Sequence, residues 1–257
     1  MKRVLRRVAL LAILLLFPFT AGAISDQTRP ALTRLWISVD EGDRFICTAS
    51  YIQPYVNESI SWTITAGHCA EGRLIKRSEA ETVAGIVNWR LVVMDHGRYT
   101  LSVTDIAIGT VPEIRDGRTY AGREKLWLAS ENPSPGETVY IHGFPRGIEQ
   151  VSLGQVVGAS FLNDVKALVQ TSDYDLEWKT YPELYPGTPL ALLVPKGTIQ
   201  GGSSGSPMLN QDGRLGGILW GIIPNNPYVM GIPDGYDLAL FTPIERIHEL
   251  LSALRIK

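Results

Sequence analysis

Ten short runs rich in Val, Ile, Leu, Thr, Trp and Tyr, separated by turn-forming residues, follow one another from residue 34 to residue 242. They read RLWISV (34–39), FICTASYI (45–52), SWTITA (61–66), RLVVM (90–94), TLSVTDIAIGTV (100–111), TVYIHGF (138–144), VSLGQVVGAS (151–160), LALLVP (190–195), RLGGILWGII (214–223) and LALFT (238–242). Many short strands at this spacing predict an all-β sandwich or barrel, and the lack of regular helices between them opposes a parallel α/β sheet. Two stretches break the pattern. Between Phe161 and Pro189 no period is visible, which predicts an extended loop or lid. After Thr242, read as an N-cap, Ile244, Ile247, Leu250, Leu251 and Leu254 fall at helical spacing, so a C-terminal amphipathic helix is expected.

The first 23 residues combine a basic start (Lys2, Arg3, Arg6, Arg7), an apolar run from Val8 to about Phe19 and the small-residue site Ala21-Gly22-Ala23. This reads as a secretory signal cut after Ala23, the apolar run being shorter than the roughly 20 residues of a spanning helix. The mature chain is then expected outside the cytoplasm, secreted or periplasmic, with no membrane association. Cleavage would leave 234 residues carrying 20 basic and 26 acidic side chains, a net charge of −6. Such a balance argues against nucleic acid as a partner. The two cysteines, Cys47 and Cys69, would meet an oxidising compartment together, so a Cys47–Cys69 disulfide is expected.

The stretch QGGSSGSP, residues 200–207, sets three serines between glycines. A serine hydroxyl is a poor nucleophile at neutral pH unless a general base lies within hydrogen-bond reach and a third group orients that base. Four histidines are available. His68 stands in TAGHC, directly after an apolar strand and beside a cysteine; His96 and His142 sit next to glycines at strand ends and read as turn residues; His248 falls in the terminal helix.

Three blocks taken together, TAGHC (65–69), TDIA (104–107) and GSSGSP (202–207), resemble the signature blocks of the trypsin/chymotrypsin-like serine endopeptidases, in that family's order of His, Asp, Ser. The bacterial glutamyl endopeptidases and the protease domain of the high-temperature-requirement proteases are similar. The resemblance implies two six-stranded antiparallel β-barrels, residues 24–125 and 126–257, with the active site between them and the helix closing the second. It implies His68, Asp105 and Ser204 as the catalytic residues and the N–H groups of Gly202 and Ser204 as the oxyanion hole. Ser206 replaces a glycine of the family motif. Ser203 stands where digestive members carry an aspartate that pairs with a new N-terminus, so activation by that ion pair is not expected here. The implied substrate is a protein or peptide, with no cofactor and no metal; the oligomeric state is left open.

By the same carry-over, the residue before the scissile bond would meet Thr198, six positions before Ser204, and a wall from Trp220, Gly221 and Ile222. Neither a carboxylate for a basic residue nor a histidine for a glutamate is present there, so cleavage after apolar or small uncharged residues is expected, since burying an unpaired charge is costly. Two other readings compete. A protease-like domain without catalysis would bind peptides only, but it would not need all three catalytic side chains. GGSSG (201–205) also spells the G-x-S-x-G elbow of an α/β-hydrolase esterase, with Ser203 as nucleophile and Asp234 or Asp237 and His248 following; that elbow needs a strand immediately before and a helix after it. With 53 residues after Ser204, no appended peptide-binding module is expected.

Overall fold

The computed structural model describes residues 23–39, 42–54, 61–70, 77–79, 86–87, 90–96, 105–111, 114–115, 118–119, 124–161, 190–225 and 231–255. The expected signal segment up to residue 22 and nearly all of the expected loop at 161–189 lie outside them.

The first half contributes strands β1 (Leu32–Val39), β2 (Gly42–Gln53), β3 (Ser61–Thr65), β4 (Arg77–Glu79), β5 (Ile86–Val87), β6 (Arg90–His96) and β7 (Asp105–Val111). Two short strands, β8 (Ile114–Arg115) and β9 (Arg118–Thr119), pair with each other, and β10 (Leu126–Trp127) runs parallel to the end of β2. The sheet order is β5-β4-β1-β2-β3-β7-β6, with β10 as an eighth strand. Among the described residues its outer strands β5 and β6 do not meet, so this half is an open sheet of eight strands where a closed barrel of six was expected.

The second half closes. Strands β11 (Thr138–Gly143), β12 (Gln150–Val156), β13 (Leu190–Pro195), β14 (Pro207–Leu209), β15 (Leu215–Ile223) and β16 (Tyr236–Pro243) form a six-stranded antiparallel barrel in the order β11-β12-β13-β16-β15-β14. The helix Ile244–Arg255 follows β16 directly. It buries Ile244, Ile247 and Leu251 and turns Glu245 and Glu249 outward, as its 3.6-residue period requires. Its cap differs from the expectation: Asn132 Oδ1 accepts the Ile244 N–H at 3.0 Å, because Thr242 is still in strand conformation with its hydroxyl engaged elsewhere.

One apolar cluster joins the halves. Ile52, Ile64, Ile106 and Ile108 of the open sheet pack with Tyr140, Leu209, Leu215 and Ile218 of the barrel and with Ile244, Ile247 and Leu251 of the helix. Burying an aliphatic side chain of this size stabilises by about 1.5–3 kcal/mol, so the seam holds the loops of both halves in fixed relation.

Candidate active site

His68 sits in the 3-10 turn Gly67–Cys69 that ends β3, closed by the Ala70 N–H donating to Gly67 O at 2.8 Å. Cys69 is bonded to Cys47 of β2, which ties the turn to the sheet. Asp105 opens β7, the strand paired with β3. Its carboxylate receives two hydrogen bonds from His68, the backbone N–H on Oδ1 at 2.7 Å and the ring Nδ1 on Oδ2 at 2.5 Å. Asp105 is itself held from the barrel, where Thr242 Oγ1 accepts its N–H at 3.2 Å. A carboxylate on Nδ1 selects the tautomer protonated there and leaves the Nε2 lone pair available as a base. Among the described residues Nε2 has no hydrogen-bond partner, and the ring is about one-third exposed, 35% for the side chain.

The three serines separate by burial. Ser203 and Ser206 are buried, at 3% and 1% exposure, and Ser204 is half-exposed. Ser203 Oγ faces inward and accepts the Gln200 N–H at 3.1 Å, while Ser206 Oγ is buried with no hydrogen-bond partner among the described residues. The segment leads into strand β14 instead of a helix, so the strand–turn–helix of a hydrolase elbow is not formed around Ser203.

Ser204 is fixed through its backbone. Its carbonyl accepts the Thr48 N–H at 2.8 Å, and the next residue, Gly205, donates to Leu219 O at 2.7 Å. Thr48 adjoins Cys47, so a continuous path of bonds runs from Ser204 through Thr48, Cys47 and Cys69 to His68. Gly205 packs so closely that a Cβ there would lie 2.0 Å from Thr48 O and 2.2 Å from Thr65 Oγ1, and its φ of +85° already calls for glycine. No hydrogen bond joins Ser204 to His68; such contacts often tighten only on substrate.

Just before Ser204, Gly201 O accepts the Arg146 N–H at 2.7 Å. A trans peptide sends C=O and N–H in opposite directions, so the Gly202 N–H points away from Arg146. Among the described residues neither the Gly202 nor the Ser204 N–H has an acceptor. Both N–H groups are thus left available to an acceptor from outside the described residues.

The expected substrate wall lies on β15. Trp220 sits at the register shift between Leu219 and Gly221 and packs against both the cluster around Cys47, Ala66 and Cys69 and that around Ala191, Leu238 and Leu240. Trp220, Gly221 and Ile222 are all half-buried, and Thr198 is half-buried in the turn after β13 with its N–H donating to Pro195 O at 3.1 Å. Ring and sulfur atoms of Cys47, His68 and Cys69 lie within 4.8 Å of one another, but the disulfide leaves no thiolate to bind a metal.

His142 is not the simple turn residue its neighbouring glycine suggested. It is fully buried in β11, with Thr28 Oγ1 2.7 Å from Nδ1 and Nε2 donating to Glu149 Oε1 at 3.1 Å, and burial pushes its pKa below the ordinary value. Glu149 also takes the guanidinium of Arg29 at 2.8 Å and the hydroxyl of Ser25 at 3.3 Å, so this network pins the helical stretch at residues 23–28 to the barrel. His248 Nε2 donates to Ala129 O at 2.8 Å, a structural role in the helix. The side chain of His96 lies outside the described residues.

Comparison with known proteins gives the following. The family model of the trypsin-like peptidase domain matches residues 47–218. Among solved structures, the chain is similar to Rv3671c from M. tuberculosis, a serine-to-alanine mutant in an inactive form, with 16% identity and a TM-score of 0.56 over 91% of each chain. It is also similar to the HtrA-type protease AlgW, another serine-to-alanine mutant, solved with a tripeptide, at 15% identity and a TM-score of 0.58 over 91% of this chain and 63% of that one. The serine endoprotease from Yersinia pestis gives 14% identity and a TM-score of 0.57 over 91% of this chain and 66% of that one. The chain therefore spans slightly less than two thirds of those last two, and at such identities the likeness is one of fold. No curated protein sequence matches the chain.

Proposed function

Because the chain belongs to the family of trypsin-like peptidase domains, we propose that it is a serine endopeptidase working through an acyl-enzyme. Ser204 Oγ attacks the scissile carbonyl, His68 Nε2 takes the proton and returns it to the leaving amine, and Asp105 holds the imidazole and stabilises the imidazolium. The N–H groups of Gly202 and Ser204 receive the oxyanion as it forms. The observation that carries this reading is the double hydrogen bond from His68 to Asp105, at 2.7 and 2.5 Å, which leaves Nε2 without a partner.

In the same reading the first half corresponds to a second β-barrel, of which the described strands form an open sheet. The chain acts outside the cytoplasm after loss of its first 23 residues. The residue before the scissile bond rests near Thr198 and the Trp220–Ile222 wall. No charged partner stands among these residues, which favours cleavage after apolar or small residues. A fluorophosphonate probe and a mixed peptide library test both levels. Labelling and cleavage by the wild type, both lost in Ser204→Ala, support a serine endopeptidase; a wild type that neither labels nor cleaves overturns it. Dominant cleavage after Arg, Lys or Glu overturns the specificity alone.

A further inference from the structure

The Thr48 side chain is fully buried and stands where three loops meet. Its hydroxyl donates to Gly202 O at 2.9 Å and accepts the Phe144 N–H at 3.0 Å. Its backbone N–H donates to Ser204 O at 2.8 Å, and its carbonyl accepts the Thr65 hydroxyl at 2.6 Å. Every polar atom of this residue that faces the junction is therefore engaged.

The two peptide planes on either side of Gly202 are pinned separately. The Gly201 carbonyl is held by the Arg146 N–H, and the Gly202 carbonyl by the Thr48 hydroxyl. Arg146 lies two residues beyond Phe144, whose N–H the same hydroxyl accepts. One hydroxyl thus sets the 144–146 turn against the 201–204 turn, keeping the Arg146 N–H aimed at Gly201 O. Gly202 has a φ of +93° and no Cβ, so its own torsions resist rotation weakly. Without the hydroxyl, the Gly202 carbonyl and the Phe144 N–H both lose a buried partner, and the 144–146 turn that aims the Arg146 N–H at Gly201 O is no longer held against the 201–204 turn, which frees the plane carrying the Gly202 N–H.

We propose that Thr48 is a positioning residue for the anion-receiving pair of N–H groups: its hydroxyl, bridging Gly202 O and Phe144 N–H, keeps the Gly202 N–H turned toward the place of the developing oxyanion. The inference rests on the peptidase reading and adds to it a residue outside the signature blocks.

The test compares wild type, Thr48→Val, Thr48→Ser and Thr48→Ala on a chromogenic peptide ester with an apolar residue before the reacting bond. Inhibition by the matching peptidyl trifluoromethyl ketone, whose adduct carries an oxyanion, is measured beside the corresponding alcohol. Valine removes the hydroxyl at constant shape and should lower kcat about tenfold or more, part of the ~10²–10³ lost with an oxyanion donor itself. KM should stay within about twofold, because the contact counts in the transition state and not in ground-state binding. Affinity for the ketone should fall in step with kcat, affinity for the alcohol should not, and serine should restore both. Should valine prevent folding, the alanine and serine variants carry the same comparison. Unchanged kcat without the hydroxyl, equal losses for ketone and alcohol, or no rescue by serine overturns the inference. A wild type that neither labels with fluorophosphonate nor turns over ester removes the peptidase reading and this inference with it, whereas a labelled wild type with an equally fast valine variant removes Thr48 alone.

Discussion

Asp105 grips His68 at two points, its Oδ1 on the backbone N–H and its Oδ2 on the ring Nδ1, so one carboxylate fixes both the place and the tautomer of the imidazole. An asparagine at this position can still accept one bond, but its amide cannot stabilise an imidazolium. Asp105→Asn is expected to fold with a normal melting curve and to lose about 10⁴ in kcat, by analogy with the same substitution in the reference protease. Steady-state kinetics on a peptide ester check this. A variant that keeps most of its activity contradicts the role given to Asp105.

The Cys47–Cys69 bridge closes a separation of 22 residues beside His68. Loop-entropy arguments value such a constraint at about 3 kcal/mol. The double variant Cys47→Ala/Cys69→Ala should lose stability of that order in urea titration. It should also lose activity more steeply on warming than the parent, because the bridge ties the His68 turn to the strand that holds Ser204.

Gly205 is expected to be intolerant of any side chain. Its φ of +85° alone costs alanine about 1–2 kcal/mol, and the added Cβ would meet the Thr48 carbonyl at 2.0 Å, a backbone atom that cannot swing away. Gly136 has a similar φ of +87° with nothing within 4 Å of a Cβ, and serves as the control. Gly205→Ala should lose activity or fail to fold, while Gly136→Ala should stay active with a small drop in melting temperature. Equal tolerance at the two positions would contradict the packing described here.

Burial pushes the His142 imidazole below its ordinary value of 6.5, against the opposing pull of the Glu149 carboxylate. Above that value the ring is neutral in folded and unfolded chains alike, and its contribution to stability is fully present. As pH falls below it, the unfolded chain binds a proton that the folded chain resists, so stability drops with acidification. Urea midpoints measured from about pH 7 down to about pH 5 should decline, and His142→Gln, less stable at neutral pH, should decline less over that range. Parallel curves for the two proteins would remove His142 as the source.

Local signals carried most of the secondary structure. All ten apolar runs became strands and the Ile244–Leu254 stripe became the helix, because side-chain periodicity is written within a few residues. Strands of two or three residues, such as β10 and β14, have too little length to show a period. Long-range partners were equally hidden: Thr242 reads locally as a cap but holds Asp105, 137 positions away, and Thr48 reaches Gly202 across 154. The His68–Asp105 pairing was legible only through the family's three blocks, since nothing in the stretch between them, a separation of 37, states that they meet. The first sheet was expected as a closed six-stranded barrel on the same resemblance, and the described strands leave it open.

Ser204, the half-exposed serine of three, is the proposed nucleophile. Digestion of the fluorophosphonate-treated protein and mass spectrometry of the peptide spanning residues 200–207 locate the adduct to a single side chain. One phosphonyl group is expected on Ser204, retained in Ser203→Ala and Ser206→Ala and absent from Ser204→Ala. An adduct on Ser203 or Ser206, or labelling that survives Ser204→Ala, would contradict it.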